Sequence, residues 1–316
     1  MIQITYHQLS WLKKFKKTRM KQEIIVEDTF AEAFPMKVSR LVITAHTKKW
    51  ALEAANSFVG FATSVIACGC EAGIESYLEK NETPDGRPGI SILIFSMSEK
   101  DLAKQILNRA GQCVMTSPTS ALFSGNISDK KISLGKSLRY FGDGFQVSKK
   151  IGDKRYWRIP VMDGEFICEE FAYQTKGIGG GNFLILGKDI ESVLDVTEKA
   201  VIQINKLKNV ILPFPGGIVR SGSKVGSKYK NLIASTNFEY CPGLKSLVKS
   251  KLNEEVGCVL EVVIDGISEV DIKNAMRIGI KTILDTSNEN IYSISAGNYG
   301  GNLGPYHFKL REILDV

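Results

Sequence analysis

Glu261 is a carboxylate within an apolar, strand-like run, CVLEVVIDG (258–266). In that setting the side chain either faces water from a half-exposed strand or is partly desolvated in a cleft, and the pattern alone favours neither. Desolvation disfavours the charged form of a carboxyl group, so in a cleft Glu261 would titrate above its usual range and could act as an acid or base near neutral pH. Asp265 has the weaker claim, because the Asp-Gly pair that ends the run is ordinary turn chemistry.

The stretch GGIVRSGSKVGSK (216–228) has the glycine spacing of a nucleotide-binding P-loop. In that motif a lysine follows the second glycine directly to reach the outer phosphates, and a hydroxyl side chain comes next to meet the magnesium ion. After Gly222 the order is reversed, with Ser223 before Lys224. Both groups would be misplaced, so the stretch is interpreted as a polar loop for a different anionic ligand.

Further glycine-rich segments occur where predicted strands or helices end, at 84–89, 177–182, 213–217 and 296–301. Glycine lets backbone amides approach a ligand closely, and the interleaved Asn182, Arg220, Lys224 and Asn298 offer side-chain donors. Ordinary turn chemistry accounts for most clusters of this kind. Four of them in one chain favour a ligand-binding cleft.

Histidine and cysteine patterns argue against several catalytic classes. The three histidines, His7, His46 and His307, are widely separated, which disfavours a zinc site or a histidine-based triad, although carboxylates alone could hold magnesium. The six cysteines include no C-x-x-C pair and lie mostly in apolar runs, as reduced thiols do in a reducing compartment. We predict no metal site and a cytoplasmic location.

The formal net charge of +7 is concentrated at the start of the chain. Residues 1–19 hold five basic residues and no acid, which leaves +2 for the rest. This segment is short, lacks the apolar core of a signal peptide and precedes Met20, so we expect a disordered extension rather than a membrane-surface arm. No run approaches the roughly 18 apolar residues of a membrane span, and the nearly neutral remainder predicts neither a membrane nor a nucleic-acid partner.

One pattern recurs four times: a β-branched run, a polar turn and an amphipathic helix. Ser98 and Ser268 stand where helix caps are expected, and Leu102 and Ile106 recur at helical spacing. Each helix is followed by an apolar run that predicts a strand: TSVIAC, QCVMT, NVILPF and IYSISAG. Two such units per half predict an α+β fold of two ferredoxin-like, split βαβ lobes related by internal duplication.

A different texture separates the two halves. The stretches SLRYFGDGFQV, KRYWRIPVM and GEFICEEFAYQT alternate aromatic or branched residues with polar ones and are joined by glycine turns, which predicts a β-meander. The expected organisation is an extension over 1–19, a first lobe over 20–135, the meander over 136–176 and a second lobe over 177–316.

Nine sequence blocks, in order from Glu27 almost to the C-terminus, resemble the formylmethanofuran:tetrahydromethanopterin formyltransferase family. They are EDTFAEAFP (27–35), ETPDGRPG (82–89), GQCVMTSPT (111–119), FGDG (141–144), GGNF (180–183), PFPGGIVRSGSKVGSK (213–228), STN (235–237), YCP (240–242) and ISAGNYGGNLG (294–304). The resemblance implies two ferredoxin-like lobes and a cytoplasmic homotetramer that serves methanogenesis or a related one-carbon pathway. The basic segment before Met20 and the lysine-rich body depart from the family pattern.

The resemblance also implies the reaction: a formyl group moves between the amine of methanofuran and N5 of tetrahydromethanopterin. Both carriers are substrates, with no metal and no tightly bound cofactor. Methanofuran carries a carboxylate-rich tail and the pterin a phosphate, so the anionic ligand of the polar loop would be a carrier. We expect it to be bound by Arg220, Ser221, Ser223 and Lys224.

Such a transfer needs a proton donor beside the departing nitrogen, donors for a tetrahedral oxyanion, and a cleft that excludes water. Glu261 is the predicted acid or base. The predicted hydrogen-bond donors are Asn182, Ser235, Thr236, Asn237 and Asn298. No nucleophile has an adjacent histidine base, which favours direct transfer in a ternary complex over a formyl-enzyme.

A non-catalytic alternative is a tandem ferredoxin-like module that binds RNA or serves as a scaffold. An RNA-binding sheet would show stacking aromatics and a basic stripe on its central strands. The runs ILIF, LILG and VVID offer little of either. A second alternative is a family member that has become a structural subunit of a larger formyl-carrier complex.

Overall fold

The computed structural model of the chain describes residues 24–125, 128 and 130–315. The predicted extension over 1–19 lies outside the described residues. The strands are β1 (Ile25–Val26), β2 (Phe30–Thr44), β3 (Glu71–Leu78), β4 (Gly89–Ser96), β5 (Ala121–Ser124), β6 (Lys131–Ser133), β7 (Val147–Ile151), β8 (Lys154–Val161), β9 (Gly164–Glu169), β10 (Phe171–Tyr173), β11 (Thr175–Gly187), β12 (Val210–Ile211), β13 (Ser223–Val225), β14 (Ala234–Thr236), β15 (Cys258–Gly266), β16 (Ile291–Ser295) and β17 (Tyr306–Lys309). The α-helices are α1 (Lys48–Val59), α2 (Glu99–Arg109), α3 (Gly135–Leu138), α4 (Ile190–Ile204), α5 (Glu269–Thr286) and α6 (Leu310–Leu314).

Each of the four long helices begins at a side chain that accepts a hydrogen bond from the first helical turn. Such a cap satisfies a backbone donor that the helix leaves unpaired and stabilises the helix by about 1 kcal/mol. The caps predicted at Ser98 and Ser268 are confirmed. The four capping residues are Thr47, Ser98, Asp189 and Ser268.

The two lobes have the same order of strands. In the first lobe the order is β3-β4-β2-β5, and in the second it is β12-β15-β11-β16. All neighbours within these two sets are antiparallel. The long strands β2 and β11 also pair with each other, from Thr175 opposite Val38 to Gly179 opposite Phe34, so both sets belong to one continuous sheet.

Helices cover one face of each lobe, and the cores lie there. In the first lobe, α1 and α2 bury side chains such as Phe58 and Leu102 against the sheet. In the second lobe, α4 and α5 bury side chains such as Val196 and Ile280. Each fully buried aliphatic or aromatic side chain contributes about 1.5–3 kcal/mol. The first residues of β2 belong to the second core, because Ala31 and Ala33 pack there.

Two of the four strands predicted after helices are placed wrongly. The run TSVIAC (63–68) forms coil and a turn, and β3 begins only at Glu71. In QCVMT the helical turns of α2 continue as a π-helical turn, Ala110–Val114, because Ala110 and Val114 pack into the first core at helical spacing. The strand that follows is β5, which begins at Ala121.

The β-meander is confirmed over β7, β8 and β9, which are consecutive antiparallel neighbours. Most of SLRYFGDGFQV was wrongly assigned to it, because 135–142 form the short helix α3 and a 3₁₀ turn that ends in a left-handed residue, Asp143 (φ 50°). Strand β9 pairs in parallel with β5. The meander therefore extends the sheet of the first lobe and does not stand apart between the lobes.

Candidate active site

Glu261 lies in the middle of β15, on the face of the sheet in the second lobe that points away from α4 and α5. Its cross-strand neighbour is Leu184 of β11, whose other neighbour is Ser295 of β16. The adjacent Leu260 and Val262 point the opposite way, into the helical core, as the alternation of a strand requires. Three strands thus hold the Glu261 backbone within a rigid sheet.

The outer edge of β15 is paired at Glu261 with Val219, which lies within the polar loop. Val219 N donates to Glu261 O at 2.8 Å, and Glu261 N donates to Val219 O at 3.0 Å. Arg220 is exposed and follows directly. The predicted carboxylate and the predicted anion-binding loop are therefore neighbours.

The environment of the Glu261 side chain disfavours its charged form. The residue is partly buried, and this burial raises its pKa to about 7. Among the described residues, the carboxylate accepts no hydrogen bond that would offset the loss of water. At neutral pH the group therefore exists in both protonation states, as an acid–base catalyst requires.

The glycine-rich segment 296–304, called here the C-terminal loop, lies against Glu261. A Cβ atom at Gly297 would be 3.6 Å from Glu261 Oε1 and 3.2 Å from Asn182 Oδ1. Burial raises the pKa of the Tyr299 phenol, and the nearby charges of Glu261 and Glu32 raise it further. Tyr299 therefore stays protonated and remains a hydrogen-bond donor beside Glu261.

Asn182 is buried and bonded to this loop. Its Nδ2 donates to Gly180 O at 3.0 Å and to Gly297 O at 3.1 Å, while its Oδ1 accepts from Gly297 N at 2.6 Å. The side chain therefore lies against the C-terminal loop, and its amide is engaged with backbone groups. Its direct contact with a substrate stays a prediction.

Asn298 is bonded in a similar way to the start of β2 and to the residue before it. Its Nδ2 donates to Phe30 O at 3.1 Å and to Thr29 Oγ1 at 3.3 Å, and its Oδ1 accepts from Gly300 N at 3.1 Å. These bonds orient the C-terminal loop. A substrate contact by Asn298 also stays a prediction.

Within the polar loop, Gly222 is followed by strand β13 rather than by a helix, unlike the second glycine of a P-loop. This strand pairs with β14, which places Ser223 opposite Thr236 and Lys224 opposite Ser235. Gly222 O accepts from the backbone of Asn237 at 3.4 Å. One hairpin thus brings together five of the predicted binding residues: Ser223, Lys224, Ser235, Thr236 and Asn237.

Side chains in this hairpin differ in their freedom to bind a ligand. Ser235 Oγ donates to Gly226 O at 2.7 Å, and Thr236 Oγ1 lies 3.3 Å from Cys241 Sγ. Lys224 Nζ lies 5.0 Å above the Phe238 ring, a cation–π contact that a bound anion can supplement. Ser221 and Ser223 are exposed.

Sequence reasoning assigned Asp265 to a turn and missed the neighbouring carboxyl group of Glu71. Asp265 is not a turn residue but is fully buried in β15. Its Oδ1 accepts from Gly180 N at 3.1 Å, and its Oδ2 has no hydrogen-bond partner among the described residues. Burial, and next the nearby Glu71, raise its pKa well above the ordinary value. The alternation of β15 puts 259, 261, 263 and 265 on one face, and this signal could have identified it.

Sequence reasoning also missed Glu32 and Tyr299. Both lie within blocks that carry the family resemblance, but neither has a local pattern that indicates a role.

Among the described residues, no group of three or more His, Cys, Asp or Glu side chains is arranged to hold a metal ion. None of the described helices is long and apolar enough to cross a membrane.

Known proteins similar to this chain are formyltransferases. A family profile described as "Formylmethanofuran-tetrahydromethanopterin formyltransferase" matches residues 20–161, and one described as "FTR, proximal lobe" matches residues 164–313. The formylmethanofuran–tetrahydromethanopterin formyltransferase of Methylococcus capsulatus is 59% identical over 290 residues, which cover 92% of this chain and 97% of that protein.

Two solved structures share the fold. One is the formylmethanofuran:tetrahydromethanopterin formyltransferase of Methanosarcina barkeri, with 46% identity, a TM-score of 0.86 and coverage of 92% of this chain and 98% of that one. The other is a chain of the formyltransferase/hydrolase complex of Methylorubrum extorquens with methylofuran, with 49% identity, a TM-score of 0.88 and coverage of 92% and 97%.

These matches define a transferase. The chain belongs to the formylmethanofuran–tetrahydromethanopterin formyltransferase family, which confirms the resemblance found in the sequence. The two-lobed α/β architecture agrees with the two family profiles, which meet between residues 161 and 164 at the turn that joins β8 to β9.

Proposed function

We propose that this chain transfers a formyl group between formylmethanofuran and N5 of tetrahydromethanopterin. The observation that carries the proposal is Glu261, a partly buried carboxyl with a pKa of about 7, held beside a glycine-rich loop in a chain of this family. Family membership supports the two carriers, and Glu261 supports acid–base chemistry at neutral pH.

The proposed reaction is a direct transfer within a ternary complex. N5 of the pterin attacks the formyl carbon of the formamide, and a tetrahedral intermediate forms with its negative charge on oxygen. The carbon–nitrogen bond to methanofuran then breaks, and its nitrogen leaves as an amine. The attacking nitrogen loses one proton and the leaving nitrogen gains one, so the reaction consumes no net proton.

Glu261 is the group proposed to manage these protons. In its protonated form it donates to the departing nitrogen, which is a poor leaving group as an anion. The resulting carboxylate then accepts the proton from N5. A pKa near neutral allows both steps, because neither form is strongly disfavoured.

The polar loop is proposed to bind the anionic part of a carrier. Arg220 and Lys224 supply charge, and Ser221 and Ser223 supply exposed hydroxyl donors. Ser235, Thr236, Asn237, Asn182 and Asn298 complete the proposed substrate-binding set. Pairing of Val219 with Glu261 supports a carrier that runs from the polar loop to the carboxyl.

The decisive experiment is formyl exchange between the two carriers by the purified chain alone. The proposal expects formyl-pterin to form from formylmethanofuran, and exhaustive chelation should leave the rate unchanged because no metal takes part. Absence of transfer by folded protein would contradict the proposed activity. Loss of activity on chelation, restored by one added metal, would contradict the metal-free mechanism.

A second candidate is a subunit that works only within a larger complex. The 49% identity to a chain of the formyltransferase/hydrolase complex favours it. Under this alternative, the purified chain would be inactive until partner subunits were added. Molar mass in solution and activity of the isolated chain separate the two candidates, since the first expects an active homotetramer.

The finer architecture is also proposed here. The two lobes are ferredoxin-like and arose by duplication, as supported by their identical strand order. Their expected bounds remain 20–135 and 177–316, with 136–176 between them. A cytoplasmic location is supported by six cysteines that are all free thiols.

A further inference from the structure

We propose that Glu32 is the positioning residue of the site: its buried carboxylate fixes the C-terminal loop and thereby holds Gly297 and Tyr299 against Glu261. The inference rests on the proposed function in that Glu261 is taken as the proton-transferring group. The anchoring of the loop by Glu32 can be tested whether or not Glu261 has that role.

Four backbone amides of the loop converge on the Glu32 carboxylate. Oε2 accepts from Tyr299 N at 2.7 Å and from Gly301 N at 2.9 Å. Oε1 accepts from Leu303 N at 2.6 Å and from Gly304 N at 2.6 Å. Both oxygens are therefore fully used, and the loop wraps around the carboxylate as a backbone nest wraps around an anion.

The backbone of the loop is shaped for this convergence. Gly300 and Gly301 have φ values of 75° and 74°, in the left-handed region where a side chain is strained. At Gly304 a Cβ atom would lie 2.3 Å from the carbonyl oxygen of Ala33. The glycines of this loop are thus needed to bring its amides to Glu32.

Electrostatics keep Glu32 charged although it is 1% exposed. Burial acts to raise the pKa of its carboxyl, but the hydrogen bonds from Gly304, Tyr299, Leu303 and Gly301 outweigh it and the pKa lies below the ordinary value. The charge is balanced by peptide dipoles, which a carboxylate with several amide donors can use in place of a cation. Glu32 is therefore a permanent anion at the pH where Glu261 titrates.

The anchor is rigid and the loop reaches the reacting group. Glu32 lies in β2, a strand of 15 residues, and it is paired with His307 of β17. From this anchor the loop runs back to Gly297, whose carbonyl accepts from Glu32 N at 3.3 Å. The same glycine lies beside Glu261, so displacement of the loop would open the carboxyl to water.

The first test is hydrogen exchange in the unmodified protein, which needs no variant to fold. The amides of Tyr299, Gly301, Leu303 and Gly304 are expected to exchange as slowly as those of β15, because all four are bonded to a buried carboxylate. Exchange of these amides at the rate of an open loop would overturn the proposal.

The second test compares Glu32→Gln with Glu75→Gln. Gln keeps the volume of the side chain. Whichever carboxylate oxygen its NH₂ group replaces, that group faces two backbone N–H donors and leaves both without an acceptor. Glu75 is a matched control: it is a buried carboxylate of the first lobe, bonded to Arg40 at 2.7 and 2.6 Å and to Ser91 at 2.7 Å. Both variants lose buried hydrogen bonds, so both are expected to melt at lower temperature.

Only Glu32→Gln should change the site. Its loop amides are expected to lose protection, and kcat should fall about ten- to a hundredfold because the reacting groups are displaced. The midpoint of the pH profile of kcat/KM should move to lower pH, since water that reaches Glu261 restores its ordinary acidity. Glu75→Gln should retain the wild-type midpoint and the protected loop.

A folded Glu32→Gln protein with the wild-type pH midpoint and kcat within threefold of wild type would overturn the positioning role. The same shift in Glu75→Gln would also overturn it, because it would show that general destabilisation is the cause. If Glu261→Gln is fully active, the proposed mechanism fails, but protection of the four amides still decides whether Glu32 anchors the loop.

Discussion

Glu32 is buried and Glu261 is partly buried, and both lie against the C-terminal loop. Their pKa values nevertheless shift in opposite directions. Four amides donate to Glu32, and its pKa is lowered. No donor among the described residues offsets the burial of Glu261, and its pKa rises to about 7. Burial alone therefore does not set the pKa of a carboxyl group; the number of hydrogen-bond donors that face it decides the direction of the shift.

The two carboxyl groups therefore suit different roles around the C-terminal loop. A carboxylate that is always charged can hold a backbone in place, while one poised near neutral pH can exchange protons. Asp265 stands between the two, because one of its oxygens has a donor and the other has none among the described residues.

The largest effect is expected for Glu261→Gln. Gln preserves size and hydrogen bonding but cannot donate a labile proton, so kcat should fall on the order of a hundredfold to ten-thousandfold, with both carriers still bound. Steady-state kinetics with each carrier varied will measure this. The control is Glu165→Gln, an exposed carboxylate of the meander paired with Arg158, which should leave kcat unchanged.

A turnover of folded Glu261→Gln within threefold of wild type would end the assignment. If the assignment holds, a formyl donor with a less basic leaving amine should partly restore the variant, because such an amine leaves with less protonation. Equal responses of variant and wild type to that donor would contradict general acid catalysis by this group.

The second largest effect concerns binding. Arg220→Ala and Lys224→Ala each remove a charge-assisted contact of about 1.5–3 kcal/mol, or about ten- to a hundredfold in affinity. We expect KM for one carrier to rise while kcat changes little. Lys199→Ala is the control, since this lysine pairs with Asp195 on the surface of α4. A lower kcat at saturation with unchanged KM would assign the loop to the transition state instead.

A smaller effect, on stability, is expected for Asp265→Asn. The raised pKa of Asp265 means that the folded protein holds this proton more tightly than the unfolded chain does. Its stabilising contribution is therefore present at acid pH and is lost as pH rises above the ordinary aspartate range. Asn cannot ionise and can donate to Glu71. The free energy of unfolding of the variant at neutral pH should therefore be about 1–3 kcal/mol higher than that of wild type.

Denaturant unfolding at several pH values measures this change. The Asn variant should show a flatter dependence of the unfolding free energy on pH than wild type. Equal slopes in the two proteins would contradict a proton held at Asp265. The matched comparison is Asp163→Asn, which makes the same substitution in the turn between β8 and β9, where Asp163 accepts from Thr119 N at 2.6 Å.

The smallest effect is expected for Ser235→Ala. Its hydroxyl donates to Gly226 O within the hairpin, so its loss should destabilise the hairpin slightly and change KM by less than about threefold. A large rise in KM with an intact fold would show that Ser235 bonds a carrier directly. That result would make the hairpin side chains part of the binding site rather than its support.

Much of the fold was accessible from local pattern. The caps at Ser98 and Ser268, the long amphipathic helices and the meander strands follow from residue type and spacing. The error at QCVMT arises because a short apolar run fits a strand and a buried helical turn equally well. Only the packing of Val114 against the first core decides in favour of the helical turn. TSVIAC instead forms coil and a turn in which Val65 and Ala67 are exposed.

The site was accessible only in part. Glu261 stood out because a charge in an apolar strand is locally anomalous. Glu32 did not, since its donors at Tyr299 and beyond lie at least 267 positions along the chain. Asp265 was hidden by the Asp-Gly pair, which indicates a turn although the strand continues to Gly266. Long-range donors decide these roles, and periodicity does not report them.

The pH profile of kcat/KM for wild type and Glu261→Gln tests the central claim most directly. If protonated Glu261 is the acid, the wild-type rate should fall about tenfold per pH unit above a midpoint near 7, the pKa to which burial raises this group. The variant should lack that limb and be slow throughout. A wild-type rate that is flat from about pH 5 to 9, or a Gln variant that retains the limb, would contradict the account.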